Sequence, residues 1–197
     1  MRRHVSDPYV KQAQAQGYRS RAAYKLLEMA RRDHLLVLGA CVVDLGAAPG
    51  SWSQVIAQQA GPKAIVIALD LLEMSPLPGV TLIRGDFRED AVLAQIEAAL
   101  GKRAVDLVVS DMAPNISGIA VADQAKSLHL CELALEFSRK HLKSGGNFLV
   151  KAFQGSGFAE FQRDMRSSFK SVVSRKPEAS RDSSSEMYLL GKGFRGH

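Results

Sequence analysis

A lysine stands inside an apolar segment of the chain, Phe148-Leu-Val-Lys151-Ala-Phe153. An ammonium group is costly to bury unless it is paired, so a lysine in such a place usually has a partner or a chemical task. Glu186 begins a second apolar segment, from which its carboxylate could reach this lysine. A lysine held in this way can remove a proton, or as an ammonium group it can stabilise a developing negative charge. The alternative is an exposed lysine at the end of a strand, which would carry no chemistry.

Three carboxylates each follow an apolar segment that reads as a strand: Asp70, Asp86 and Asp111. In nucleotide-binding folds, an acid at the end of the second strand accepts hydrogen bonds from ribose hydroxyls, and we predict this contact for Asp70. We predict that Asp86 accepts from an adenine amino group while Phe87 flanks the ring. Each acid alone could be a helix cap. Acids at three successive strand ends favour a binding site.

These acids would surround a turn of small residues, Gly46-Ala-Ala-Pro-Gly50, between an apolar segment and a helical one. A ligand can approach such a backbone closely, near the N-terminus of the helix, which Ser51 or Ser53 could cap. The turn lacks the lysine of a phosphate-binding loop, and Ala48 replaces the central glycine of the dinucleotide fingerprint. The pattern predicts a nucleoside-sized site, with an ordinary strand-to-helix turn as the alternative.

Strands and helices alternate from residue 41 onward, after two N-terminal helices that begin near Pro8 and Ser20. The predicted strands are 41–46, 64–70, 80–84, 105–110, 146–153, 169–174 and 186–191, and the predicted helices are 51–60, 88–100, 123–143 and 157–168. This order predicts an α/β fold, a doubly wound, mostly parallel, Rossmann-like sheet of seven strands with helices on both faces. Such a sheet places the strand-end acids at one edge.

The net charge of +6 is concentrated at the N-terminus. Residues 1–32 contain eight basic and two acidic side chains, a difference that equals the net charge of the whole chain. The basic ones are Arg2, Arg3, Lys11, Arg19, Arg21, Lys25, Arg31 and Arg32. We therefore predict a basic helical extension over residues 1–32, within the same domain as a catalytic body over residues 33–197. Its charge indicates a polyanion partner, nucleic acid first, with a merely solvated basic helix as the alternative.

The two cysteines, Cys41 and Cys131, are too few for a disulfide framework and read as buried apolar residues in a reducing compartment. The first residues contain no apolar run of the kind that directs secretion, and no segment is long and apolar enough to span a membrane. We expect a cytoplasmic monomer without a metal site.

A series of motifs is shared with a known family of enzymes. They are Arg19-Ser-Arg-Ala, Asp44-Leu-Gly-Ala-Ala-Pro-Gly50 with Trp52-Ser-Gln, Gly85-Asp-Phe, Ser110-Asp-Met-Ala-Pro-Asn, Val150-Lys151 with Phe153-Gln-Gly, and Arg175-Lys-Pro. On these motifs the chain resembles, from about Ser6 to Gly191, the RrmJ/FtsJ family of ribosomal RNA ribose 2′-O-methyltransferases. That family uses S-adenosylmethionine (SAM). The chain departs from the family at Ser51, where a second glycine is frequent, and in its short N-terminus.

The resemblance implies the roles of individual residues. The family's catalytic set of two lysines and two acids falls on Lys25, Asp111, Lys151 and Glu186. Its SAM contacts fall on Gly50, Trp52, Asp70, Asp86 and Asp111. The implied substrate is a uridine in the A loop of large-subunit ribosomal RNA, presented in a ribosomal particle. A relative that acts on transfer RNA or another RNA, such as a messenger cap, is the alternative.

The mechanism predicted from this resemblance requires a proton to leave the ribose hydroxyl. A lysine amine has an ordinary pKa of about 10.4, so a lysine that acts as a base at neutral pH needs a lowered pKa. Burial and positive neighbours lower such a pKa, whereas acids raise it. The sequence leaves open whether Lys151 is a neutral base or a charged stabiliser of the alkoxide, and we favour the base. We expect Asp111 to steer Lys151 and the hydroxyl, and Lys25 to supply positive potential. We expect Glu186 to play a smaller part in orienting these groups.

Three other readings fit the residues less well. Enzymes that methylate base nitrogens carry an Asp/Asn-Pro-Pro-aromatic motif, whereas here Met112 and Ala113 follow Asp111 and Asn115 replaces the aromatic residue. An NAD-dependent oxidoreductase would use the fold and Asp70 but lacks its glycine fingerprint. A non-catalytic RNA-binding protein would explain the basic N-terminus, where Arg19, Arg21, Arg31 and Arg32 are predicted to follow phosphates, and not the strand-end acids.

Overall fold

The structure, a computed structural model, describes residues 7–114, 117–180 and 185–196. Arg2, Arg3 and Asn115, which the sequence predictions mention, lie outside these ranges. The helices are α1 Pro8–Ala15, α2 Ala22–Asp33, α3 Ser51–Ala60, α4 Asp90–Leu100, α5 Ala120–His141 and α6 Phe158–Ser168. The strands are β1 Cys41–Leu45, β2 Ile65–Asp70, β3 Thr81–Arg84, β4 Val105–Ser110, β5 Leu142–Phe153, β6 Phe169–Arg175 and β7 Glu186–Phe194. Of the helices in the described ranges, none combines the length and the apolar character that crossing a bilayer requires.

The strands form one seven-stranded sheet in the order β3-β2-β1-β4-β5-β7-β6. β1 to β5 pair in parallel, and β7 enters between β5 and β6 antiparallel to both. The predicted fold class is therefore confirmed. β5 begins at Leu142, four residues before its predicted start, because Leu142 pairs with Val105 across a register shift. The polar and glycine residues that follow Leu142 read as a turn in the sequence.

Apolar side chains cover both faces of the sheet. One core packs α4, α5 and α6 against the sheet, through residues such as Ile96, Leu135 and Met165. The other packs α2 and α3 against the opposite face, through residues such as Leu26 and Val55. Full burial of one such side chain contributes about 1.5–3 kcal/mol. The basic N-terminal helix α2 is thus part of the body of the domain.

A buried ion pair fixes the C-terminal end of α2. Nε and Nη2 of Arg175 on β6 donate to the two carboxylate oxygens of Asp33, at 2.7 and 2.8 Å. Lys192 on β7 lies 2.7 Å from the same carboxylate, whose side chain is only 2% exposed. The hydrogen bond from Arg175 is the main reason why the pKa of Asp33 falls to about 2, with burial opposing it and Lys192 assisting. This contact gives the Arg175 motif a structural role, since it holds in place the helix that carries Lys25.

Candidate active site

The small-residue turn after β1 needs its two glycines. Gly46 and Gly50 both have positive φ, 75° and 98°, a backbone conformation that residues with a Cβ rarely adopt. A Cβ at Gly46 would overlap Cγ of Met112, and one at Gly50 would lie 2.8 Å from Nη1 of Arg19. The small-residue turn is therefore closely packed, with the loop after β4 on one side and the N-terminal segment on the other.

The expected serine cap of α3 is wrong. Gly50 occupies the N-cap position, and no side chain of the described residues caps the helix. Ser51 instead shares a hydrogen bond of 2.6 Å with the hydroxyl of Ser20, and the Ser53 hydroxyl donates to Asp44 at 2.6 Å. Both serines are fully buried and serve packing. The first N–H groups of α3 are thus left without a capping side chain, which makes this end of the helix suitable for a polar ligand.

Asp44 is a buried acid that the sequence did not single out. Its side chain is 1% exposed, and its Oδ1 has no hydrogen-bond partner among the described residues. Burial raises the pKa of Asp44 to about 7; the Ser53 hydroxyl opposes this rise, whereas Asp111 and Asp70 add to it. The signal was present in the sequence, since Asp44 interrupts an otherwise apolar strand. Asp44 is therefore an acid that titrates near neutrality, and it lies directly beneath the turn.

A pocket of about 380 Å³ opens at the carboxyl ends of the first four strands. We call it the strand-end pocket, and its lining includes Gly46, Asp70, Leu72, Asp86, Phe87 and Asp111. Its volume lies in the range of sites for small molecules and cofactors. Three of the five predicted cofactor contacts therefore line one cavity, as the strand order predicted.

The other two predicted contacts, Gly50 and Trp52, do not line this pocket. The Trp52 indole turns into the core, where its N–H donates to the carbonyl of Ala22 at 2.9 Å. Its ring packs against Tyr188 with 5.6 Å between ring centroids. The indole is thus a support for α2 and β7. What Trp52 can offer a ligand is its backbone N–H in the first turn of α3.

Asp70 holds the turn as well as facing the pocket. Its Oδ2 accepts from the N–H of Ala48 and its Oδ1 from the N–H of Leu72, each at 2.8 Å. Each carboxylate oxygen keeps a further lone pair for a hydroxyl donor. Leu71 and Leu72 follow at the rim of the pocket with 65% and 66% of their surface exposed. An acid beside an exposed apolar pair is suited to a sugar that carries a flat ring.

Asp86 already has a partner. Nε of Arg88 lies 2.9 Å from both oxygens of its carboxylate, and this hydrogen-bonded pair lowers the pKa of Asp86 against the opposing effect of burial. Phe87 lines the pocket but is largely buried, edge-on to Phe137 at 6.1 Å. A ligand amino group at Asp86 therefore has to share the carboxylate with an exposed arginine.

The second part of the site lies beside Asp111, and we call it the lysine–acid cluster: Lys25, Asp111, Lys151 and Glu186. Nζ of Lys151 lies 3.2 Å from Oδ1 of Asp111 and donates to the Asp111 carbonyl at 2.8 Å. The Lys151 side chain is only 9% exposed. Asp111 also lines the strand-end pocket, so it is the residue that the two parts share.

Lys25 and Glu186 form the other ion pair of the cluster, with side chains 12% and 13% exposed. Burial raises the pKa of Glu186, but the hydrogen bond and charge of Lys25 outweigh burial, and Lys151 adds to them, so the net shift is downward. The carboxylate therefore stays ionised at neutral pH. All four predicted catalytic residues are brought together, as two neighbouring lysine–carboxylate pairs.

Tyr188 links the two pairs, and the sequence analysis missed it. Its hydroxyl donates to Oδ1 of Asp111 at 2.9 Å, and Nζ of Lys25 lies 5.8 Å from the centre of its ring. Burial raises the pKa of Tyr188 well above its ordinary value, and the nearby acids add to this effect, so the hydroxyl stays a donor. The available signal was its spacing, because Tyr188 stands two residues after Glu186 and shares its face of the strand.

The antiparallel strand β7 explains how the cluster assembles. Lys151 pairs with Tyr188 across the β5–β7 ladder, which places both side chains and Glu186 on the same face of the sheet. On the other side, Ser110 pairs with Val150 in parallel, so the residue after each, Asp111 and Lys151, are neighbours. Helix α2 packs over this face and supplies Lys25.

The arginines predicted to follow phosphates fall into two groups. Arg19 donates to the carbonyls of Pro49 and Pro76, at 2.9 and 2.8 Å, and so fastens two loops together. Arg21 pairs with Asp7 and with the carbonyl of Ala179. These two arginines hold the N-terminal segment in place and are engaged within the protein itself. Arg31 and Arg32, in contrast, are exposed in the last turn of α2.

The arrangement suits group transfer to a hydroxyl or amine. A pocket with several carboxylate acceptors can hold a ligand rich in donors, and a lysine amine lies beside Asp111, which lines that pocket. Within residues 7–114, 117–180 and 185–196, no three His, Cys, Asp or Glu side chains gather as metal ligands.

Comparisons of the sequence point to one family. The model of the family described as FtsJ-like methyltransferase matches residues 18–194. The protein named ribosomal RNA large subunit methyltransferase E from Azoarcus sp. (strain BH72) is 60% identical over 195 residues, which cover 99% of this chain and 95% of that protein. The protein of the same name from Nitrosospira multiformis is 61% identical over 195 residues, with 99% and 95% covered.

Solved structures agree with the fold. A ribosomal RNA methyltransferase from Plasmodium falciparum superposes with a TM-score of 0.81 at 30% identity, covering 91% of this chain and 100% of the other. A chain of the fibrillarin/Nop5p complex superposes with a TM-score of 0.60 at 18% identity, covering 86% and 81%. At that identity the second likeness concerns the fold alone.

Proposed function

Because the chain belongs to the FtsJ-like methyltransferase family, we propose that it methylates the ribose 2′-hydroxyl of a uridine in large-subunit ribosomal RNA. The family resemblance inferred from the sequence motifs is confirmed, and the chain is an RNA methyltransferase. Its relatives from Azoarcus and Nitrosospira are named for the large-subunit RNA, which supports the choice of substrate. The observation that carries the proposal is Lys151 held by Asp111 at the border of the strand-end pocket.

The residues of the strand-end pocket fit SAM as the methyl donor. Asp70 keeps acceptor sites for two ribose hydroxyls, and the exposed Leu71 and Leu72 offer an apolar surface to an adenine ring. Asp86 would accept from the adenine amino group in competition with Arg88. The uncapped N–H groups at the start of α3 would bind the polar tail. When bound, SAM supplies an electrophilic methyl group on a positively charged sulfur.

We propose that Lys151 takes the proton of the attacking hydroxyl. Its Nζ donates one hydrogen bond to the Asp111 carbonyl and lies beside the Asp111 carboxylate. These two contacts fix the direction of the amine. A hydroxyl aligned by such a fixed amine reacts faster because little orientational freedom remains to be lost. Lys25 contributes positive potential, which stabilises the developing alkoxide. Glu186 neutralises Lys25 in the resting enzyme and orients it.

The proposed reaction requires an RNA substrate, because DNA has no 2′-hydroxyl. Arg31 and Arg32 stand on the same helix as Lys25, exposed where phosphates of a bound strand could reach them. Their replacement by glutamate should weaken RNA binding and make its dependence on salt shallower than in the wild-type protein.

The decisive experiment supplies labelled SAM with three substrates, namely naked large-subunit ribosomal RNA, intact large subunits and transfer RNA. We expect label at one uridine of the large-subunit RNA, at a position that resists alkaline cleavage because its 2′-oxygen is blocked. We also expect more label in intact subunits than in naked RNA. Label on a base, or in transfer RNA alone, would contradict the proposal. The Lys151→Ala variant serves as the unlabelled control.

A further inference from the structure

A groove lined by tyrosines lies between α1 and α2, apart from the strand-end pocket. Tyr9, Tyr18 and Tyr24 contribute its rings, with 5.6 Å between the centroids of Tyr9 and Tyr24 and 5.7 Å between those of Tyr18 and Tyr24. The groove has a volume of about 630 Å³. All three tyrosines are half-buried, so each keeps part of its ring surface open. We call this feature the tyrosine groove.

The exposed charged side chains that line the tyrosine groove are positive. Arg31 and Arg32 line it and are exposed. The acid in its lining, Glu28, is turned to the chain itself, because its Oε2 accepts from the backbone N–H of Glu178 at 2.8 Å. Aromatic faces beside exposed guanidinium groups are what an unpaired nucleotide needs, since its base stacks on a ring while its phosphate meets a cation.

The position of the groove relative to Lys25 adds a second constraint. Tyr24 directly precedes Lys25 in α2, and Arg31 stands about 9 Å further along the helix, from a rise of 1.5 Å per residue. The tyrosine groove therefore lies within a nucleotide or two of a ribose placed at the lysine–acid cluster, measured along α2.

We propose that the tyrosine groove binds an unpaired base next to the methylated ribose of the RNA substrate. The inference rests on the proposed function for its substrate and extends it by assigning the surface that holds the RNA. The base stacks on the Tyr24 ring, with the nearly perpendicular Tyr18 ring at its edge, while Arg31 and Arg32 meet the adjoining phosphates. Single-stranded segments, whose bases are free to stack, are therefore preferred over duplex RNA.

The competing explanation is purely structural. Tyr24 donates to Oε1 of Gln16 at 2.8 Å, and the Arg21 guanidinium lies 5.8 Å from the centre of the Tyr9 ring, so the tyrosines also help to seat α1. A test has to remove stacking without removing this packing. Tyr24→Leu keeps helix propensity and apolar bulk but loses the ring, whereas Tyr24→Phe keeps the ring and loses only the hydroxyl.

The experiment measures binding of two probes, a short oligouridylate and the same chain with abasic sites at its central positions. Tyr24→Leu should weaken binding of the oligouridylate by about 5-fold to about 150-fold, the range that stacking of one base implies. It should leave the abasic probe unchanged, because that probe offers only phosphates. Arg31→Gln combined with Arg32→Gln should weaken both probes and flatten the salt dependence. Arg163→Gln combined with Arg166→Gln, exposed on α6, is the matched charge control.

Three readouts separate the outcomes. Thermal unfolding and SAM affinity of Tyr24→Leu should stay close to wild type; if Tyr24→Leu unfolds, Tyr18→Leu replaces it in the same assay. Methylation should show a raised KM for RNA with kcat retained, and Tyr24→Phe should behave as wild type. An equal loss of affinity for both probes, or no loss for either, would refute base binding by the tyrosine groove and leave the proposed methylation of ribosomal RNA unaffected. A loss of affinity for the oligouridylate alone, in a protein that does not methylate ribosomal RNA, would instead support base binding by the groove and refute the proposed function.

Discussion

The strand-end pocket and the lysine–acid cluster meet at Asp111 but are built on opposite principles. The pocket is open; Asp70 accepts hydrogen bonds from two loop amides, and Asp86 accepts from an exposed arginine. The cluster is closed, and its lysines pair with its acids in side chains that are mostly buried. The pocket takes its residues from consecutive strand ends, whereas the cluster takes them from α2, β5, β7 and the residue after β4.

From this difference we infer that binding of the methyl donor and transfer of the methyl group are separable in this enzyme. Open acceptors with spare lone pairs hold a ligand, and their loss should appear in affinity. A buried set of paired lysines and acids offers little free binding energy to a ligand, and in the proposed mechanism it positions Lys151, so its loss should appear in turnover. Asp111 belongs to both parts, so its replacement should affect both quantities.

Among variants that keep Lys151, the largest effect is expected for Asp111→Asn. The variant loses the negative charge that Lys151 and the Tyr188 hydroxyl share, at distances of 3.2 and 2.9 Å. We expect turnover to fall by about 100-fold or more, with SAM affinity also reduced by about 10-fold. Steady-state methylation and calorimetry measure the two losses. A variant that lost only one of them would break the claim that Asp111 joins the two parts.

Asp70→Ala should act on the pocket alone. It removes the carboxylate that holds the Ala48 and Leu72 amides and that would accept ribose hydroxyls. Loss of hydrogen bonds to a charged acceptor costs about 1.5–3 kcal/mol, so SAM affinity should fall by about 10-fold to about 150-fold. Turnover at saturating SAM should remain within a few-fold of wild type. Native affinity by calorimetry would remove Asp70 from the site.

A smaller effect on turnover is expected for Glu186→Gln. The new side-chain amide would still accept a hydrogen bond from Lys25, but it would no longer carry the negative charge that balances the lysine. We expect about a 10-fold fall in turnover, with SAM affinity unchanged, because Glu186 lies outside the lining of the strand-end pocket. Steady-state methylation and calorimetry again measure the two quantities. A loss as large as that of Asp111→Asn would show that the two ion pairs are equivalent.

The smallest change in activity is expected for Asp44→Asn, which should act on stability. Since burial raises the pKa of Asp44 from 3.8 to about 7, the folded protein holds a proton that the unfolded chain has released between these pH values. Stability due to Asp44 therefore falls as pH rises from about 4 to about 7. Asparagine removes this penalty and can still accept from Ser53. We expect Tm of the variant to exceed that of wild type by about 10 °C at pH 8 and to match it near pH 4.

Thermal unfolding at both pH values decides this prediction. An equal difference at the two pH values would show that Asp44 does not titrate in this window. Such an equal difference would mean that Asp44→Asn acts through packing of the turn and not through charge, since the Ser53 hydrogen bond persists in either case.

The sequence predicted the strand-end pocket better than the cluster, for a physical reason. Parallel strands bring their carboxyl ends to one edge, so the order of elements was enough to gather Asp70, Asp86 and Asp111. The cluster depends on β7 running antiparallel beside β5, with Lys151 opposite Tyr188. Strand register of this kind is set by packing across the whole sheet and has no local sequence signal. The residues alone indicated Lys151, Glu186 and Asp111, and the resemblance to a family supplied Lys25 and grouped the four.

Side-chain direction was the other quantity that the sequence did not reveal. Trp52 was predicted as a cofactor contact, yet its indole points into the core towards Ala22. Ser53 reads as a helix cap but is one turn too deep and reaches Asp44. Arg19 and Arg21 read as phosphate ligands because of their charge, whereas their guanidinium groups satisfy backbone carbonyls of nearby loops. Composition shows which groups are present, and only packing decides their partners.

One measurement tests the central claim most directly, namely that Lys151 serves transfer and not binding. Calorimetry of SAM and single-turnover methylation of large-subunit ribosomal RNA are carried out on Lys151→Ala, with Lys151→Arg as a variant that keeps the charge but cannot release its proton. We predict SAM affinity within about 2-fold of wild type and transfer below detection in both variants. Transfer at the wild-type rate in Lys151→Ala, or a loss of SAM affinity large enough to explain its inactivity, would contradict the account.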